Sequence, residues 1–217
     1  MGLLLALALY GGFSRPTAAR SETLDHVVAS VDNVAITRSD VELAYRFELF
    51  LNAKIAKVTP DVATLELVRD RQINQLLLLR EAGAEGISAA DSPDTSADEW
   101  AAIRKKYGSE QAFQSALQSL DLNEHQALSR LRDRQRILRL IDQRLRTSAQ
   151  VETSDIEAYY QKTFVPELTR RGTSPAPPLT EVQSQIREIL TQKRIDQLLA
   201  AWLENLKLSH RVSVHPF

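Results

Sequence analysis

Cysteine is absent from all 217 residues, methionine occurs once and glycine only 7 times. Without a thiol the chain has no disulfide framework, no cysteine nucleophile, no iron–sulfur cluster and no Cys-ligated zinc. A lipid anchored on a cysteine behind a leader is excluded as well. Scarce glycine, with Leu, Ala, Gln, Arg and Glu abundant, favours helices over a sandwich or barrel. Neither sign of charge dominates: 27 Lys+Arg face 28 Asp+Glu, a net charge of −1. That balance argues against a general nucleic-acid binder. The length is enough to bury a core without covalent or metal staples.

Catalytic patterns are missing too. The four histidines, His26, His125, His210 and His215, form no i, i+4 pair, and there is no H-E-x-x-H. No P-loop, G-x-G-x-x-G or G-x-S-x-G occurs. Asp32 and Asp40 fall in an expected turn and an expected helix start, where aspartate serves local hydrogen bonding rather than acid–base chemistry. The expectation is therefore a protein that is not an enzyme, with no catalytic, metal or cofactor-binding residues.

No stretch approaches the ~20 apolar residues of a membrane-spanning helix, so no integral membrane span is expected. The longest apolar run, Leu3 to Tyr10 (LLLALALY), is followed by small residues, with Thr17 and Ala19 at the −3 and −1 positions of a cleavage site. No Lys or Arg precedes the run. This pattern reads as a secretory signal peptide over 1–19. A mature chain would then start near Arg20 and work outside the cytoplasm.

Two β-branched runs, Val27 to Val31 and Val34 to Thr37, flank Asp32-Asn33, which predicts a two-residue hairpin. Ser39 with Glu42 fits a capping box, opening a helix to about Val58. Thr59-Pro60 predicts the start of a second helix, ending between Gly83 and Gly86. Residues 88–98 read as a loop, with Ser96 and Glu99 as a further capping box. Ser109, Asn123, Thr153 and Thr180 are each expected to cap a helix. The Asn123 helix is the longest, to about Ser148, with Ala127, Leu131, Leu138, Ile141 and Leu145 as its apolar stripe. Pro-rich Gly172 to Pro178 (GTSPAPP) reads as a linker. Val212 to Val214 reads as an edge strand.

Charge is segregated. Residues 20–100 hold 8 basic and 15 acidic side chains, residues 101–149 hold 10 and 5, and residues 150–217 hold 8 and 8. Arg130, Arg132, Arg134, Arg136, Arg139, Arg144 and Arg146 point in several directions on a helix and carry no interleaved aromatic ring. They therefore suit structural or carboxylate-pairing work rather than nucleic acid. The helix after the hairpin carries Tyr45, Phe47, Phe50 and Leu51, so it is apolar on more than one side. Such a helix either crosses the core or offers a face to a partner.

The segment VVASVDNVAITRSDVE, Val27 to Glu42, resembles the opening of SurA-type periplasmic chaperones and related exported parvulin-family foldases: a short hairpin, an Asn-containing turn, then S-D-V opening a long helix. Asp32 replaces the Asn usual at the first turn position, and Val34 a common Gly. The similarity continues through Arg71 to Leu79, Gly86-Ile87, Tyr107-Gly108, Phe113, the Arg-rich helix and Val151 to Tyr160, and resumes from Leu179 to Val214. In the family the Val151–Tyr160 segment leads into a parvulin prolyl-isomerase domain. Here only about twenty residues separate Tyr160 from the final helix, and that domain's glycine-rich sequences and paired histidines have no counterpart.

The resemblance implies a mainly α fold, a helical chaperone core with a small antiparallel β element made of the N-terminal hairpin and a C-terminal strand. It implies residues 20–165 as the N-terminal helical domain, 166–178 as linker and 179–217 as a helix and strand completing the same core. It implies a periplasmic, ATP-independent holdase without isomerase activity. Its partners would be unfolded or extended outer-membrane and periplasmic polypeptides, held in a groove between the first and last long helices. Phe47, Phe50, Tyr107, Phe113, Tyr159 and Tyr160 are the candidate peptide-binding residues, and homodimerisation by helix or strand exchange is a further expectation. The alternatives are an assembly protein for one folded partner and a degenerate prolyl isomerase.

Overall fold

The computed structural model of the chain describes residues 25–53, 59–88, 95–172 and 175–217. The expected leader lies outside the described residues. So do residues 54–58, which end the first expected helix, and most of the expected 88–98 loop. The fold is mainly α with one small antiparallel sheet. Strands β1 (Val27–Val31) and β2 (Val34–Thr37) form the hairpin, and β3 (Val212–Val214) returns from the far end of the sequence. The sheet order is β2-β1-β3. Ala29 faces Val214, Ser30 faces Ser213 and Val31 faces Val212. The terminal strand thus pairs with the hairpin as expected. Of the two turn residues only Asp32 takes a left-handed conformation, at φ 53°, which aspartate tolerates better than most residues.

Helix α1 (Arg38–Leu51) leaves β2 without a loop. Its cap is Thr37, not Ser39. Thr37 is already extended as the last residue of β2, its hydroxyl accepts the Asp40 N–H, and the Asp40 carboxylate accepts the Thr37 N–H at 2.9 Å. The box therefore closes two residues earlier, and Glu42 instead pairs with Arg38 at 2.9 Å. Helix α2 (Val62–Ala84) is capped by Asp61, whose Oδ1 accepts the Thr64 N–H at 2.8 Å. Pro60 precedes the cap instead of occupying the first turn. Helix α2 is the central rod. Leu65, Val68, Ile73, Leu77, Leu78 and Ala82 are buried along it, together with Val28, Val31, Ile36, Val41 and Ala44.

Helices α3 (Thr95–Lys106), α4 (Glu110–Ser119) and α5 (Glu124–Leu145) follow. Ser109 and Asn123 cap α4 and α5 as expected. Helix α3 starts at Thr95, one residue before its expected cap, and Glu99 is spent on Arg134 and Gln135 of α5. Two arginines of α5, Arg134 and Arg144, pair with the acidic block. Arg144 meets Glu85 at 2.6 Å and Glu81 at 3.3 Å. Arg136 and Arg139 donate to the carbonyls of Ile87 and Ser88 just past the end of α2. Leu138 is 47% exposed, and Leu140 takes its place in the core.

Helix α6 (Thr153–Tyr159) is capped by Glu152 with Asp155, one residue before the expected Thr153. A π-turn over Tyr160–Phe164 joins it to α7 (Val165–Arg170), which occupies the first part of the expected linker. Pro166 has no N–H to donate to Lys162 and its ring crowds that carbonyl, so the chain widens by one residue per turn there and then resumes. Helix α8 (Leu179–Ser209) begins directly after Pro178, without a Thr180 cap.

The returning tail is fastened by polar contacts. The Asp32 carboxylate accepts from Nδ1 of His210 at 2.9 Å, from the Arg211 N–H at 2.9 Å and from Arg80. The Asp32 N–H donates to the Arg211 carbonyl at 2.7 Å, and the His215 N–H to that of Val28 at 2.9 Å. Arg69, a charged side chain buried in the core, donates to the His215 carbonyl and lies 5.6 Å from the Phe217 ring centroid.

The His210 hydrogen bond first, then the Arg211 N–H and the Arg80 charge, hold the Asp32 carboxyl below the usual carboxylate range. A depressed folded value stabilises the fold above the unfolded value, and this contribution disappears as pH falls through the folded one. We expect the wild type to lose stability as pH drops below about 4. Asp32→Asn, which keeps the left-handed turn, should be less stable at pH 7 and show a shallower acid dependence, measured by urea unfolding at a series of pH values.

Candidate functional site

Helix α1 spends its apolar residues in three directions. Val41 and Ala44 face the sheet and α2, while Phe47 and Phe50 meet α3 and α4. Leu43 and Leu51 are left half-buried along an open groove of about 750 Å³. The groove lies between β2, α1, α2 and α5. Its depth is set by buried Ile36, Ala44 and Phe47, its walls by half-buried Leu76, Leu79 and Ile137, and its mouth by exposed Val34, Ala35 and Leu138. Leu138 is the residue that broke the core stripe of α5. Its displacement from the core puts it at the groove.

The polar side chains around this groove are amides, the Ser129 hydroxyl and engaged charges. Gln72 donates to Gln75 at 2.7 Å, and Gln126 and Ser129 line the α5 side. Glu48 accepts from Nε and Nη2 of an Arg71 fork at 3.0 and 2.8 Å. Arg134 pairs with Glu99 at 3.4 Å, Asp133 with Arg136 at 3.5 Å, and Asp40 is used in the α1 cap. Arg130 donates to Gln72 at 3.4 Å, and burial lowers its pKa against the opposing pull of Asp40 and Asp133. A shallower polar cleft adjoins through Asp40, Leu43 and Gln126 and contains the Arg46–Asp121 pair.

The structure separates the six aromatic residues singled out from the sequence. Phe47 lines the groove. Phe50 and Phe113 are wholly enclosed at 0% exposure. They stack with Trp100 and Tyr107 in a cluster whose ring centroids lie 5.4 to 5.8 Å apart. The half-buried Tyr107 hydroxyl donates to the Phe50 carbonyl at 2.6 Å, and burial raises its pKa. This cluster locks α1 to the α3–α4 pair. Tyr159 and Tyr160 belong to a separate cluster with Ile156, Val182 and Ile186. There Tyr160 stacks on Phe164 and donates to the Pro177 carbonyl at 2.9 Å. Helix α8 contributes no lining residue, so the groove is not the expected one between the first and last long helices. The helix covers the opposite side of α2 and α5 instead.

Among the described residues no group of three His, Asp or Glu side chains is placed to hold a metal, and no helix is long and apolar enough to cross a membrane. No protein-family model matches the chain, and no curated protein matches it either.

Core and groove residues should respond differently to truncation. Phe50→Ala should cost about 3–5 kcal/mol of unfolding free energy, since it opens a cavity in a closed aromatic cluster. Leu138→Ala at the groove mouth should cost no more than about 0.5 kcal/mol. Guanidinium unfolding of the two variants checks this.

Proposed function

We propose that the protein is an exported, ATP-independent holdase of the SurA-like kind that binds unfolded or extended outer-membrane and periplasmic polypeptides and has no prolyl-isomerase activity. The observation that carries this reading is the open apolar groove bordered by a strand edge and by charges that are already engaged. A stable monomer has no structural need to leave Leu43, Leu76, Leu79, Ile137 and Leu138 facing one trough. An unfolded client offers apolar side chains and unpaired backbone groups, and the trough suits both. Each contact is weak and affinity comes from several together, so capture is unselective and release needs no nucleotide. The resemblance of Val27 to Glu42 to the SurA-type opening and the signal-like pattern of residues 1–19 support the same reading and a periplasmic location.

The test is suppression of aggregation of a denatured outer-membrane protein by the chain from Arg20 onward. Leu138→Glu places a charge at the groove mouth, where solvent hydrates it. It should weaken suppression several-fold while leaving the unfolding midpoint nearly unchanged. The reading is lost if the wild type does not suppress aggregation at a several-fold excess, or if it captures one folded partner and ignores unfolded chains. A prolyl-peptide assay should run no faster with the protein than without it.

A further inference from the structure

The outer strands of the sheet are β2 and β3, and β2 forms a wall of the groove. The hydrogen-bond phase of the sheet says which backbone groups face that wall. On β1, the Val28 carbonyl and the Asp32 N–H are bonded toward the β3 side. Backbone groups alternate between the two edges of a strand, so Ser30 also turns toward β3 while Ala29 and Val31 turn toward β2. Their partners on β2 are Ile36 and Val34. Ala35, opposite Ser30, therefore directs both its N–H and its carbonyl away from β1, over the groove. On its C-terminal side the chain is closed to such use: Thr37 donates its N–H to Asp40, and the Arg38 N–H goes to the His26 carbonyl.

We propose, resting on the holdase reading, that the groove accepts its client as an added β-strand bridged to Ala35, and that the preferred segment is extended and uncharged on its inward-facing side. The strand geometry sends alternate side chains down toward Ala44, Phe47 and Leu76 and the others to solvent. The charge pattern selects the inward set. Asp40, Glu48, Asp133 and Arg134 each have a partner within the protein, and Arg130 donates to Gln72 and feels the charges of Asp40 and Asp133. An incoming charge would lose water and have to compete with these contacts for a counter-charge, whereas a neutral apolar side chain loses nothing. The bridge is only one residue wide. That restricts it to two backbone hydrogen bonds and keeps β2 from templating longer sheet growth.

Ala35→Pro tests this directly. It deletes the outward N–H, fits an edge strand and removes no bond to β1. The probe is an uncharged synthetic peptide of about six alternating Leu and Ser residues, ~20 Å long, with binding to the chain from Arg20 onward read by calorimetry. Ala35→Pro should weaken binding about fivefold, the loss of one hydrogen bond, while Ala35→Val, which keeps the N–H, should stay near wild type. Replacing the peptide leucines by lysines should abolish binding. Should Ala35→Pro unfold, N-methylating the peptide amides one at a time against wild-type protein serves instead, with one amide expected to be sensitive. Equal affinity of Ala35→Pro and wild type, or indifference to every N-methyl group, overturns strand addition and leaves the holdase reading standing. No binding of the peptide by the wild type also overturns it, and the holdase reading then stands or falls on the aggregation assay alone.

Discussion

The pairing of β3 with β1 is the constraint on which the rest of the molecule depends. A two-stranded hairpin alone is marginal in water. Here it gains a third strand from the opposite end of the chain, and with it the C-terminal half of α8, whose Leu199, Trp202, Leu203 and Leu206 pack on the same core as Val28 and Val31. One carboxylate organises the joint. Asp32 sits at the only left-handed position of the hairpin turn and accepts from α2, from the end of α8 and from the first residue of the tail. An Asn there would keep the turn but lose the charge that gathers Arg80 and His210.

With the ends tied, the distribution of apolar residues on α1 determines the site. One face closes on the sheet and another on the aromatic cluster. Among the described residues the third has no covering element, because α8, the remaining long helix, packs on α2 and α5 without lining the groove. The groove is thus a consequence of topology. Its lining side chains come from four elements, of which the three helices each have a better-buried face elsewhere.

Much of this was legible in the sequence, and the failures have physical causes. The hairpin, the Ser109 and Asn123 caps, the terminal strand and the multi-sided α1 follow from short-range signals that tertiary packing did not override. Caps went wrong where two candidates lay within two residues, as at Thr37 against Ser39 and Asp61 against Thr59. Backbone geometry at the preceding strand or proline decided between them. The π-turn before Pro166 left no pattern that helix periodicity detects. At the candidate site, the surplus apolar character of α1 was readable, but its partners were not. Phe50 and Phe113 look as available as Phe47 in one dimension, and only the packing of α3 and α4 removes them from the surface. Leu138 was the missed clue, since it fits a heptad-like stripe while Leu140 is the residue that is buried.

Helix α8 has 31 residues and spans roughly 46 Å at 1.5 Å per residue. Its first turns are anchored by Val182 and Ile186 to α6, and its last by Leu206 to the central core. Its middle is seated by Ile195 against Leu145 and Ala149, so the unbroken rod links three separate footings. It ties the α6–α7 lobe to a joint about eight turns away, at His210, where the tail joins the turn of the hairpin.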